Sequence, residues 1–243
     1  MRPRHVMFTR LSPLVSCLVV LILLWTYKFF STIHFKENLN FVVLIEFTNA
    51  LLLIQLSIDK QRTPQKGDLL LSEPFMHDDH FTRSVIYLCE HNEDGSFGFI
   101  LNNTLDLNLH EYATDFPDAS VTVGFGGPVD QNQLFFLHNI SELEDKIAIS
   151  PNVFMGGRYS TILDMLKENT ISTGQIRFFI GYTGWGPNQL QQELDEKTWI
   201  VATPPAELSI LNSNDDTLWK DILHSMGGKY KLMADFPINP ADN

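Results

Sequence analysis

The chain has 243 residues, of which 44% are hydrophobic and 19% charged, a composition that excludes an intrinsically disordered protein. Its net charge of −12 is unevenly distributed, because residues 1–66 carry 8 Lys and Arg against 3 Asp and Glu, whereas residues 67–243 carry 9 against 26. So acidic a body repels phosphate backbones, which argues against direct binding to DNA or RNA. The two cysteines, Cys17 and Cys89, give no disulfide framework.

The first 60 residues form a hydrophobic extension that differs in composition from the rest. Basic residues precede an uncharged run over residues 11–27, a pattern typical of a signal anchor, and no small residues follow it to form a cleavage site. A second apolar run over residues 41–58 contains Glu46, which is costly to bury in a bilayer. Two interpretations stay open. Residues 11–27 anchor the protein in the inner membrane, or the start codon is assigned too far upstream and the protein is cytoplasmic.

Residues 61–243 are expected to form one domain of short alternating elements. The patterns predict strands near residues 68–72, 84–91, 97–102, 120–126, 133–138, 146–149, 175–182 and 198–202. They predict helices near residues 107–113, 159–169, 187–196 and 215–226, the last closed by Gly227 and Gly228. Residues 91–96 end in Asp-Gly and predict a hairpin. Strands that pair in sequence favour an α+β fold over a regular βαβ succession.

Two segments and one set of three residues could form a reactive or ligand-binding site, and each has a simpler structural interpretation. Residues 77–80 read His-Asp-Asp-His, but adjacent residues rarely converge on one ion, so a solvated loop that caps the next segment is favoured over a metal site. Residues 124–129 follow a strand as a phosphate loop would, but they lack the Gly-Lys-Ser/Thr ending, which favours a tight turn. Glu90, His91 and Ser84 could serve a hydrolase or transferase, although neighbours on a strand point to opposite faces. We expect no metal and no cofactor.

The most informative segment is residues 181–194, in which three glycines surround Trp185. Gly184 and Gly186 are expected to allow positive φ on either side of the tryptophan, and Pro187 suits the first turn of a helix. Gln189 and Glu193 then lie within reach of a ligand at the helix start. The segment fits two interpretations: Trp185 fills the core, or it lines a ligand pocket.

At these residues the chain resembles the AlgH/YqgE family of bacterial proteins. The similarity covers residues 67–74, 79–85, 90–102, 126–129 and 181–193, together with Trp199. It implies an α+β fold in a single compact domain, with a mixed, bifurcated β-sheet and a small barrel-like part surrounded by helices. The resemblance implies no enzyme activity. It associates the chain with transcriptional control, and so acidic a chain would exert such control indirectly. His80 and the pair Asn103 and Thr104 depart from the family pattern.

The sequence therefore predicts a protein that binds a small molecule or a protein partner. The alternatives are the hydrolase or transferase and a membrane-anchored periplasmic module. The predicted pocket residues are Arg83, Glu90, Asn102, Gly126, Gly127, Pro128, Gly181, Trp185, Gln189 and Glu193. Among them Arg83 and Glu193 are the expected charged contacts and Trp185 the apolar one.

Overall fold

The computed structural model describes residues 62–112, 114–117, 121–213 and 216–237, all in a compact unit that runs from Gln61 to Asn243. The predicted extension, with its possible anchor at residues 11–27, lies outside the described residues. Within the part that is described, no helix is long and apolar enough to cross a membrane.

The described elements alternate as short strands and short helices. The strands are β1 (Leu69–Ser72), β2 (Val85–Asn92), β3 (Gly95–Ile100), β4 (Thr104–Leu105), β5 (Val123–Phe125), β6 (Val129–His138), β7 (Ile147–Ser150), β8 (Val153–Met155), β9 (Ile176–Trp185) and β10 (Trp199–Ala202). The helices are α1 (Leu109–Tyr112), α2 (Tyr159–Lys167), α3 (Gln189–Asp195), α4 (Leu218–Met226) and α5 (Gly228–Ala234). A 3-10 turn, Thr173–Gln175, precedes β9.

The sheet is mixed and forks at β9. Its main path runs β10-β1-β2-β3-β9-β6-β8-β7 with antiparallel neighbours, and it does not close on itself. The first half of β9, around Phe178 to Ile180, lies between β6 and the parallel strand β5. The second half, Thr183 to Trp185, pairs instead with β3. The expected α+β fold with a bifurcated sheet is confirmed, and the sheet does not close into a barrel.

Both faces of the sheet around β2 are covered. Val85, Tyr87 and Cys89 pack into the cluster that includes α4 and α5, whereas Ile86 and Leu88 pack on the other face with α3. A third cluster joins α2 to the first half of β9. Because successive side chains of a strand point to opposite faces, a run of five buried residues requires cover on both sides.

Among the described strands and α-helices, three were not expected. Strands β4 and β8 have two and three residues, too few to create a recognisable alternation. Gly227, with φ of 67°, ends α4 as expected, but Gly228 begins the additional helix α5. This short helix packs through Ala234, which is 1% exposed.

Candidate functional site

An open groove of about 840 Å³ lies along the second half of β9. Its walls come from β3, the β2–β3 turn, the start of β6 and the residues that follow β9. A volume of this order is within the range of small-molecule sites, about 300–1,000 Å³. Phe97 of β3 stands opposite Gly184 in the register, and the absence of a side chain at that position lets the Tyr182 ring lie close to the backbone, since a Cβ there would be 3.0 Å from Tyr182 Cε2.

Three aromatic rings form the floor of the groove: Phe97 of β3, Phe135 of β6 and Tyr182 of β9. The Tyr182 ring centroid lies 5.9 Å from that of Phe97 and 5.6 Å from that of Phe135, with interplanar angles of 76° and 79°. Edge-to-face pairs of this kind contribute about 0.5–1.5 kcal/mol each beyond the burial of their area. The three rings are only half-buried, so the floor is accessible to a ligand.

The rim of the groove is acidic. Glu90, at the end of β2, lines it together with Asp94 of the hairpin turn and Asp130 of β6. One Glu90 oxygen accepts a hydrogen bond from the side chain of Asn92 at 2.8 Å, a neutral donor. No Lys, Arg or His is among the described residues that line the groove, and no described cation forms an ion pair with these three carboxylates.

A wide irregularity in β6 places Asp130 at the rim. Val129 pairs with Tyr182 and Leu134 pairs with Ile180, so more residues of β6 than of β9 lie between these two pairs. Asp130 adopts a positive φ of 50° at the first position of this bulge. Bulges of this kind are frequent beside functional sites because they redirect side chains.

Trp185 is held by a structural network and also contributes a wall. It is 6% exposed, and its indole N–H donates to Oε2 of Glu193 at 2.8 Å. The same oxygen accepts from the indole of Trp199 at 2.7 Å, and Oε1 accepts from Gln189 at 2.9 Å. Gln189 also accepts from the backbone N–H of Gly186. Gln189 and Glu193 are therefore occupied by internal contacts.

The expected positive φ at Gly184 and Gly186 is wrong. In this segment the left-handed conformation falls at Gly181, with φ of 69°, and at Asn188, with φ of 62°. Asn188 supplies the sharp turn into α3 that the sequence assigned to the glycines. Its amide side chain suits this role, since asparagine tolerates the left-handed region better than most residues.

Gly126, Gly127 and Gly181 allow the close approach of backbones at the fork of the sheet. The Gly126 carbonyl accepts from the Thr183 hydroxyl at 3.1 Å and from the backbone of Ile100 at 3.0 Å. A Cβ at Gly181 would collide with the carbonyl oxygens of Gly127 and Val129. These glycines and Pro128 lie next to the groove but do not line it. The backbone passes close to its neighbours at Gly126 and Gly127, as the structural interpretation of residues 124–129 expected, but the segment is the connection from β5 to β6 and not a tight turn.

Arg83 and Asn102 lie at the other end of β2. Asn102 accepts from the backbone N–H of Val85 at 2.8 Å and donates to the carbonyl of Arg83 at 2.9 Å. The Arg83 guanidinium lies 5.0 Å from the ring centroid of Trp219 and donates to the carbonyl of Phe236. From Arg83 to Glu90 the strand rises about 20 Å, so these two residues cannot share a ligand-binding pocket of this size.

Ser84, Glu90 and His91 are not brought together. Ser84 is 3% exposed immediately before β2, and its hydroxyl has no hydrogen-bond partner among the described residues. Glu90 and His91 lie about 20 Å further along the strand. His91 Nδ1 is 2.7 Å from the hydroxyl of Ser96, on the neighbouring strand. The arrangement does not join this serine to a base.

The strongest pKa shifts belong to buried groups outside the groove. Burial raises the pKa of the Cys89 thiol and raises that of Tyr87 to about 12. Burial also lowers the pKa of the Arg177 guanidinium to about 10, and it lowers the pKa of His138. Each shift comes from the loss of solvation of the charged form. These groups are core residues.

The loop at residues 77–80 caps the segment that follows it. Asp78 Oδ1 accepts from the backbone N–H groups of His80 at 2.8 Å and Phe81 at 3.1 Å. All four side chains are exposed. Within the described ranges, no group of three or more His, Cys, Asp or Glu side chains is placed to hold a metal ion.

Of the predicted pocket residues, the structure brings only Glu90 and Trp185 to the groove. Sequence reasoning missed the aromatic floor and the acids at positions 94 and 130. The available signals were Tyr182, inside the most informative segment, and Asp94, at the predicted hairpin turn.

Comparisons with known proteins agree on one family. A family model described as AlgH-like matches residues 69–231. A UPF0301 protein of Cytophaga hutchinsonii is 38% identical over 180 residues, 73% of this chain and 98% of the relative. One of Chlamydia muridarum is 37% identical over 182 residues, 72% of this chain and 93% of the relative.

Two solved structures share the fold. The solution structure of the AlgH protein from Pseudomonas aeruginosa superimposes with a TM-score of 0.56 at 24% identity, covering 73% of this chain and 98% of that one. A crystal structure of a Corynebacterium diphtheriae protein superimposes with a TM-score of 0.55 at 21% identity, covering 73% of this chain and 95% of that one. At such identities the likeness concerns the fold alone.

Proposed function

This chain belongs to the AlgH-like family of UPF0301 proteins, and from that premise we propose that it is a binding module that receives a ligand in the groove over β3, β6 and β9. The observation that carries the proposal is the aromatic floor, in which Phe97, Phe135 and Tyr182 are half-buried at the bottom of a concave surface. A folded chain leaves large rings accessible at a cost in hydrophobic free energy, so a concave aromatic surface favours a binding role.

Binding is better supported than hydrolysis or group transfer. A nucleophile needs a base within hydrogen-bond distance, and Ser84 is separated from His91 and Glu90 by about 20 Å of strand. His91 instead contacts Ser96 on β3. Any effect on transcription would then be indirect, through the ligand or partner, because the acidic surface opposes nucleic acid. We assign this role to the cytoplasm if residues 1–60 do not anchor the chain.

Trp185→Ala is a poor test of this proposal. The residue is 6% exposed and its indole is hydrogen-bonded, so truncation should cost about 3–5 kcal/mol of stability whether or not a ligand binds. A better variant fills the groove from its exposed side. Gln133 lines the groove and is exposed, whereas the neighbouring Asn132 is exposed without lining it.

The experiment is a titration of the full-length protein, labelled with 15N, with 2-phenylethanol as a small aromatic probe. We expect saturable shifts of the backbone amides of Phe97, Tyr182 and Gly184. Gln133→Trp should abolish these shifts and Asn132→Trp should keep them. The proposal fails if neither this probe nor its ammonium analogue, 2-phenylethylammonium, shifts any of these amides, or if the shifts persist unchanged when the groove is filled.

A further inference from the structure

We infer that the groove selects small organic cations, in which an ammonium or guanidinium group is attached to an apolar body. This inference rests on the proposed binding role of the groove and adds the chemical class of the ligand. It depends on the charges at the rim, on the rings of the floor and on the size of the space between them.

The first support is the sign of the charges. The rim presents Glu90, Asp94 and Asp130, and no described basic side chain lines the groove to offset them. A carboxylate ligand would therefore meet like charges at three points around the opening. Residues 67–243 as a whole carry 9 basic and 26 acidic side chains, so the longer-range field has the same sign.

The second support is the chemistry of the floor. Ring faces carry a negative electrostatic potential and attract ammonium and guanidinium groups, with the strongest effect when solvent is excluded. The Tyr182 ring is nearly perpendicular to Phe97 and Phe135, so the floor offers ring surfaces in two orientations. An aromatic floor below an acidic rim suits a ligand that is apolar at one end and positive at the other.

The third support is the space available. A groove of about 840 Å³ accommodates a compact amine, and Gly95, Gly184 and Gly186 contribute to its wall without side chains. The site is concave and its aromatic contacts lie within a few ångströms of one another. We therefore assign it to a small molecule and not to a polypeptide segment.

The test uses three probes with the same ring and different charges: 2-phenylethylammonium, 2-phenylethanol and phenylacetate. Binding to the full-length protein is followed by the amide shifts of Phe97, Tyr182 and Gly184 at 20 mM and 300 mM NaCl. We expect 2-phenylethylammonium to bind about tenfold more tightly than 2-phenylethanol at low salt, with phenylacetate weakest. The higher salt concentration should weaken the binding of the cation alone, because salt screens the attraction between charges at the surface.

Charge-neutralising variants locate the effect. Asp94→Asn and Asp130→Asn should each weaken the binding of 2-phenylethylammonium by about two- to fivefold, the range for a single exposed ion pair. The affinity for 2-phenylethanol should not change. The matched control is Asp164→Asn, which removes an exposed carboxylate from α2 outside the groove.

The outcomes separate the two proposals. If 2-phenylethanol and phenylacetate bind in the groove as tightly as the cation, the cation inference fails and the binding role stands. If no probe shifts these amides, both fail. If the blocked peptide acetyl-Phe-Lys-Phe-amide binds more than tenfold tighter than 2-phenylethylammonium, the ligand is a polypeptide and the small-molecule assignment is overturned.

Discussion

Glu193 allows the clearest test of how the fold is held around the groove. Its Oε2 accepts the indole N–H groups of both Trp185 and Trp199, at 2.8 and 2.7 Å. The two tryptophans are 6% and 2% exposed, and their rings meet edge to face at 5.7 Å. Glu193→Ala leaves two buried donors without an acceptor.

The expected cost follows from these two donors. A buried hydrogen-bonding group left unsatisfied costs about 1–3 kcal/mol, so Glu193→Ala should lower the free energy of unfolding by about 2–6 kcal/mol. With a urea m-value of about 2 kcal/mol/M, the midpoint should fall by about 1–3 M. Glu193→Gln keeps one carbonyl acceptor and should give an intermediate loss.

The assay is equilibrium unfolding in urea followed by tryptophan fluorescence. The matched control is Glu196→Ala, which removes the same charge from an exposed side chain at the end of the same helix. Its effect should be within about 0.5 kcal/mol of zero. If Glu193→Ala is no more destabilising than Glu196→Ala, the network does not support the fold and the reasoning is refuted.

Three further predictions address the core. In urea unfolding, Gly181→Ala should destabilise the protein by at least about 2 kcal/mol more than Gly156→Ala. Both glycines have φ near 68°, but only Gly181 faces carbonyl oxygens that an added Cβ would meet. Equal losses of stability would contradict this prediction. Burial lowers the pKa of His138 in the folded state, so the unfolded chain takes up the proton first and stability should fall as pH drops below about 6.5. Between pH 7.5 and 5.5 the wild type should therefore lose more stability than His138→Gln, and parallel losses would exclude this residue as the cause. Burial raises the pKa of the Cys89 thiol, so a Cys17→Ser variant should not react with Ellman's reagent at pH 8 until urea unfolds it; rapid labelling of the native protein would contradict the buried position.

The elements with long or strongly patterned sequences could be predicted from the chain. The apolar run ending at Cys89 gave β2, and the Asp-Gly at positions 94 and 95 gave the hairpin that forms one wall of the groove. The fork of the sheet entered only through the family resemblance. No local pattern indicates that Phe178 lies between β5 and β6 whereas Thr183 pairs with β3.

The candidate site was harder to predict, because its parts are distant in sequence. Phe97, Phe135 and Tyr182 belong to three strands, and only the register of β9 with its neighbours brings them together. Glu193 was assigned to ligand binding because it follows a helix start, yet two tryptophans already use its carboxylate. Arg177 shows the same limit: a guanidinium in an apolar strand is fully buried, where it donates to backbone carbonyls and stacks on Phe179.

The position of β9 in the chain also constrains how the protein can be synthesised. On the ribosome, β3 and β6 emerge long before β9, the strand that pairs with both. The second edge of β1 likewise stays unpaired until β10, Trp199 to Ala202, has been synthesised. A nascent chain of about 175 residues therefore exposes apolar strand edges of the kind that associate with other chains. The pairings of β9 with β3 and β6 join residues that are distant in sequence, and such contacts slow folding. Nonsense mutations anywhere before β10 should yield aggregates or degraded fragments, and the groove, whose last lining residue is Gly186, cannot form until the whole of β9 has been translated.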